Sequence, residues 1–137
     1  MSQLLSNVSV RVWHPQMSAT HVSSHLGLDP EYFRSIGDPR AAPNGRLLGG
    51  VNEQTYVCSR LVYKECGELG AQLSACYEDL RERHAFIQEI VESGGEFEFY
   101  VSIFLKGLGG FRLDPGLVKK LAVLGIGLSV ELYPDDE

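Results

Sequence analysis

The stretch EFEFYVSIFL, residues 96–105, followed by DPGLVKKLAVLG at 114–125 and IGLSVELY at 126–133, decides how this chain folds. In the first piece Phe97, Phe99, Val101, Ile103 and Leu105 alternate with Glu98, Tyr100, Ser102 and Phe104. A period of two with one apolar parity is a strand that buries one face. In the second piece Asp114 stands at the N-cap position and Pro115 at the first helical position. Leu117, Leu121 and Leu124 fall at helical spacing, and Gly125 follows as the stop. The third piece alternates again, with Ile126, Leu128, Val130 and Leu132 against Gly127, Ser129, Glu131 and Tyr133. Strand, helix and strand over these residues already supply the start of a core.

Upstream, Val8, Val10 and Val12 alternate with Ser9, Arg11 and Trp13, and His14-Pro15 ends that strand. Ser18 caps a short helix that turns Ala19, Val22 and Leu26 inward and stops at Gly27. From Asp29 to Asn52 the prolines and glycines punctuate short apolar pieces, which predicts a long irregular excursion. Thr55 to Tyr63 is β-rich but apolar on both parities, the pattern of a strand covered on both faces or of one whose register the parity does not fix. Leu69, Leu73, Cys76 and Leu80 form a helical stripe, continued out of phase by Phe86, Ile87, Ile90 and Val91 as far as Gly94-Gly95. The spacing predicts one long helix bent near His84.

At 137 residues with 44% hydrophobic and 22% charged residues, the chain is long enough to close one core. The expected architecture is a single domain over 1–137, of α+β class and in two layers. A mainly antiparallel sheet of four or five strands carries its helices on one face, and pairing of Tyr32 to Ile36 with Thr55 to Tyr63 would give a partly ferredoxin-like order. The expected core is Val8, Val10, Val12, Val22, Leu26, Leu73, Leu80, Phe97, Phe99, Val101, Ile103, Leu117, Leu121, Leu124, Leu128, Val130 and Leu132. No run of about 20 apolar residues could span a bilayer, and the first residues carry no basic, apolar leader. Three cysteines, Cys58, Cys66 and Cys76, with no C-x-x-C pair, suit reduced thiols, so a cytoplasmic protein is expected. The net charge of −6 repels phosphate backbones and anionic membranes and attracts basic partners.

Taken together, a short N-terminal strand, Leu26-Gly27-Leu28-Asp29-Pro30, Gly37-Asp38-Pro39, a β-rich piece with Ser59 and an acidic amphipathic helix form a recognisable order. Leu121-Ala122 and Leu124-Gly125 before Leu128 to Tyr133 complete it. This resembles the bacterial domain-of-unknown-function family 4279 over nearly the whole chain. Where that pattern expects Trp in the middle strand, this chain has Tyr56. The resemblance implies a fold and no activity.

Motifs that would name a reaction are absent. His21 and His25, four apart on a helix, could share a metal with His14 or Asp29, but they fall on the solvent side and no Glu follows the first His. Gly107-Leu108-Gly109-Gly110 lies between strand and helix like a phosphate-binding turn. Arg112 stands where the third glycine belongs, and the Asp114 carboxylate would repel a phosphate. Cys76 with His84 has no nucleophile-elbow context. No cofactor and no catalytic residue are therefore expected. The acids of the long helix, Glu68, Glu78, Asp79, Glu82, Glu89 and Glu92, and Asp135, Asp136 and Glu137 at the end read first as a solvated surface, then as an interface for a basic protein.

The parity that sends the core residues inward sends Arg11, Trp13, Tyr100, Phe104, Glu131 and Tyr133 to the other face of the sheet. Aromatics on a wet face suit protein contact, including self-association, better than RNA, since Glu98 and Glu131 outnumber Arg11. A non-enzymatic protein-interaction module is the expected function, with a small-ligand binder or an unrecognised small enzyme as alternatives.

Overall fold

The computed structural model describes residues 4–134. Its elements run β1 (Leu4–His14), α1 (Ala19–Leu26), β2 (Tyr32–Arg34), β3 (Pro39–Ala41), β4 (Leu47–Val51), β5 (Thr55–Gly67), α2 (Leu69–Asp79), α3 (His84–Glu92), β6 (Glu96–Leu105), α4 (Pro115–Leu124) and β7 (Ile126–Pro134). The main sheet has five strands in the order β2-β5-β1-β6-β7, antiparallel at every neighbour except β6 and β7, which run parallel. β2 does pair with β5, so β1-α1-β2 and β5-α2-α3-β6 interleave in the ferredoxin-like order, with α4 and β7 added at one side. β3 and β4 form a separate hairpin inside the 29–52 excursion.

The core lies between the sheet and its helices. Val8, Val10, Val12, Val57, Phe97, Phe99, Val101 and Ile103 come from the strands. Val22, Leu26, Leu69, Leu73, Ile87, Ile90, Leu117, Leu121 and Leu124 come from the helices. Both predicted stops are used: Gly27 (φ 67°) and Gly125 (φ 75°) take the left-handed conformation that glycine adopts without a Cβ clash. Ser18 Oγ accepts from the His21 amide, as a cap should. Asp114 occupies its cap position, but its carboxylate is held by Arg112 at 2.6 Å and not by the helix amides.

Four expectations are corrected. The stripe from Leu69 to Val91 is two helices, because Leu80 leaves helical geometry (φ −95°, ψ 8°) and a 3-10 turn, Arg81–Arg83, absorbs the phase shift. His84 seals the break, its Nε2 donating to the Tyr77 carbonyl at 3.1 Å and its ring resting 4.4 Å from the Tyr77 ring. β5 is covered on one face only: Thr55, Val57 and Ser59 turn inward, while Tyr56, Cys58 and Arg60 turn out. Leu132 is 60% exposed, and Leu128 and Val130 are half-buried, because α4, about 15 Å long, is too short to cover the roughly 30 Å of the edge strand β7. The excursion is not wholly irregular, since it contains β2 and the β3–β4 hairpin. Asp135, Asp136 and Glu137 lie outside the described residues.

Candidate protein-contact face

One face of the sheet carries the helices; among the described residues no helix covers the other. Strand register sets out what it presents. Trp13 stands beside Tyr56 on β5, Arg11 between Cys58 and Glu98, and Ser9 between Arg60 and Tyr100. β7 extends the rows, with Ser129 beside Tyr100, Glu131 beside Ser102 and Tyr133 beside Phe104.

Arg11 is the centre of this surface. Its Nη2 lies 2.5 Å from Glu98 Oε2 and its Nε donates to the same oxygen at 2.7 Å. The guanidinium also sits 4.0 Å from the Tyr100 ring centroid and 5.2 Å from that of Trp13. A planar cation between an acid and two aromatic faces uses both sources of attraction open to Arg. Partial burial opposes its charge, yet the Glu98 hydrogen bond and field win and hold its pKa above the ordinary Arg value. Glu98 takes a further bond from Ser129 Oγ at 2.8 Å, so its carboxylate is satisfied on two sides.

A second cluster joins the remaining residues. Phe104 and Tyr133 stack at 5.5 Å, the Tyr100 and Tyr133 hydroxyls lie 3.2 Å apart, and Tyr133 donates to Glu131 at 2.7 Å. Bonds from Tyr133 and Tyr100 hold the Glu131 carboxyl below its ordinary pKa, and the same contacts raise that of Tyr133. All six residues singled out from the sequence thus share one face, and hydrogen bonds or ring contacts link them.

Sequence reading missed the β5 and β2 half of the same surface. Tyr56 packs 5.4 Å from Trp13 and carries Arg34 at 5.0 Å over its ring; burial and the neighbouring Cys58 push its phenol up to about 12. Arg60 pairs with Glu31 at 3.2 Å and lies over Tyr63. Lys64 is held at φ 44° while its amide donates to Asn7 Oδ1 at 2.6 Å, which aims its ammonium over Tyr63 and Phe104. The one signal for this half was the outward parity of Tyr56, Cys58 and Arg60, masked because two of the three inward residues, Thr55 and Ser59, are polar. At that end the face runs into a hollow of about 590 Å³ lined by Tyr32, Phe33, Arg34, Pro39, Pro43 and Tyr56 among others. Tyr32, opposite the outward-facing Cys58, is 64% exposed, so the hollow adds aromatic area to the face.

The alternative sites fare differently. His21 and His25 are brought together, rings 4.1 Å apart, but both pack on Phe86 and His25 Nδ1 bonds the His21 carbonyl at 2.9 Å. Among the described residues no group of three or more His, Cys, Asp or Glu could hold a metal ion. Cys76 is buried in the core, and that burial pushes its thiol up to about 11, opposite to what a nucleophile needs. His84 is engaged with Tyr77. Burial raises the Cys58 thiol as well. Leu108, in the glycine turn, is wholly exposed. Among the described residues, no helix is long and apolar enough to cross a membrane.

No curated protein and no solved structure matches the chain. The family model described as Domain of unknown function (DUF4279) matches residues 4–135, nearly the whole chain, and the protein therefore belongs to that family.

Proposed function

We propose that this is a non-enzymatic interaction module of a bacterial cytoplasm that docks another protein on the open face of its sheet. The observation that carries this reading is the Arg11 cluster with its neighbours: Trp13, Tyr56, Tyr100, Phe104 and Tyr133 line one uncovered surface, held in place by satisfied charges. Aromatics and Arg fixed in advance lose little entropy on binding, and they are the side chains on which protein interfaces depend most. Arg34, Arg60 and Lys64 join Arg11 on this surface, and Glu98, Glu131 and Glu31 lie among them, so the face is of mixed charge; the net charge of −6 favours a protein partner over a nucleic acid or an anionic membrane. The reading calls for no cofactor. Unpaired Cys58 and Cys76 suit the reducing compartment.

The test is capture from a source-cell extract with wild type, Trp13→Lys and Tyr100→Lys as baits, followed by direct binding of the identified protein. A partner whose affinity falls at least about tenfold, or 1.4 kcal/mol, in both variants at unchanged melting temperature supports the proposal. A partner bound equally by all three overturns it.

A further inference from the structure

We propose that a second copy of this chain pairs with the free edge of β7, antiparallel about a two-fold axis at Val130, so that two sheets become one. The two ends of the five-stranded sheet are unlike. β2 is a three-residue strand and too short to template another chain. β7 runs for nine residues from Ile126 to Pro134, and among the described residues nothing pairs with its outer side. It carries no Lys, no bulge against β6, and no Pro before its last residue, the usual devices that protect an edge.

The apolar surface beside that edge points to the same occupant. Leu132 is 60% exposed on the helix side of β7, and Leu128 and Val130 are half-buried. Lys120 of α4 reaches back to Glu78 and Tyr77 of α2, so the opposite side of α4, with exposed Val118 and Ala122, borders the edge.

The sequence of β7 is complementary to itself in this register. A two-fold at Val130 sets Leu128 opposite Leu132 of the second copy, and Leu132 opposite its Leu128. Each exposed leucine then meets the apolar strip of the other copy. On the open face Tyr133 falls opposite Gly127, which puts no side chain in its way across the seam, and Glu131 falls opposite Ser129. No like charges stand directly across the seam. Moving the axis to Glu131 would set two carboxylates face to face. Stacking two copies on the open face would instead take the Arg11–Glu98 pair and the Glu131 carboxylate of each out of water. Edge pairing leaves that face free, and the two-fold stands perpendicular to the sheet, so both open faces point the same way.

Sedimentation over a wide concentration series, with wild type, Leu132→Lys and Trp13→Lys, tests this, together with amide exchange of residues 127–133. Trp13 lies on the open face beside Tyr56, away from β7. The expected results are a wild-type dimer, a Leu132→Lys monomer with native circular dichroism, and a Trp13→Lys protein that still dimerises. The β7 amides should lose protection on dilution. A wild type that stays monomeric throughout overturns the proposal, as does a dimer that Leu132→Lys leaves intact. β7 protection indifferent to concentration, or a dimer dissolved by Trp13→Lys alone, does the same; the last result would place the second copy on the open face.

Discussion

The Arg11 guanidinium lies 4.0 Å over the Tyr100 ring while gripping Glu98, so one side chain ties β1 to β6 through both an ion pair and a ring. Both partners are largely shielded, with 24% and 16% of their side chains exposed, which lifts this pair above an ordinary surface salt bridge. Arg11→Met leaves Glu98 with Ser129 alone and should cost about 1–3 kcal/mol. Arg11→Met combined with Glu98→Gln should cost less than the two single changes added, because the orphaned charge is gone. Urea unfolding of the four proteins gives the cycle, and strict additivity would mean that the pair is not coupled.

How far the fold was legible follows from how each segment meets its neighbours. Phe97 to Ile103 read clearly because one face of β6 packs on helices and, among the described residues, the other meets none, so the alternation is undiluted. In β5 the inward parity is Thr55, Val57 and Ser59 and the outward one Tyr56, Cys58 and Arg60, so neither is distinctly apolar. Only pairing with β1 resolves it, and the basic half of the face was lost with it. Leu132 fails for a different reason: periodicity says which side a residue faces, not how far the covering layer extends. Ten residues of α4 span about 15 Å, while nine of β7 span about 30 Å, so the far half of the strand outruns its helix. β3 and β4 were illegible because all their residues are exposed, which leaves no inward parity to detect.

This gradient along the sheet predicts two contrasting substitutions. Val101 is fully buried, and Val101→Asp should abolish folding, since an unpaired buried carboxylate costs several kcal/mol against a total of about 5 to 15. Leu132→Ser, measured at a dilution where any dimer is dissociated, should change stability by less than about 0.5 kcal/mol. A soluble Val101→Asp protein with unchanged melting temperature would overturn the β6 register.

Gly95 sits where three elements converge. A Cβ there would lie 2.6 Å from the His14 ring, 2.8 Å from the Ile90 carbonyl oxygen and 2.8 Å from that of Trp13. Two of these atoms are backbone and cannot step aside, so Gly95→Ala should cost about 3 kcal/mol or more. Gly116, in the first turn of α4, meets nothing within 4 Å, and Gly116→Ala should stabilise by up to about 1 kcal/mol. Thermal unfolding of both variants checks the pair; equal effects would refute the close approach at Gly95.

His14 gives the fold a pH dependence whose sign follows from its bonds. Its Nδ1 accepts from the amides of Gln16 at 3.0 Å and Met17 at 2.9 Å, so the proton must sit on Nε2, which donates to Ser93 Oγ at 2.8 Å. Ser93 passes the chain on to the Glu89 carbonyl at 2.6 Å, which bolts the end of β1 to the end of α3. The ring is buried, and that burial lowers its pKa below 6.5, with His21 adding to the fall and Glu89 opposing it. A second proton would also face two N–H donors. As pH falls through the ordinary histidine range the unfolded chain takes up a proton that the folded one refuses, so stability is full above that range and declines below it. Wild type should therefore lose stability between about pH 7.5 and 5.5, and His14→Gln, less stable at pH 7.5, should lose less over the same interval. Parallel slopes for the two proteins, measured by urea unfolding at each pH, would show that His14 is not the group responsible.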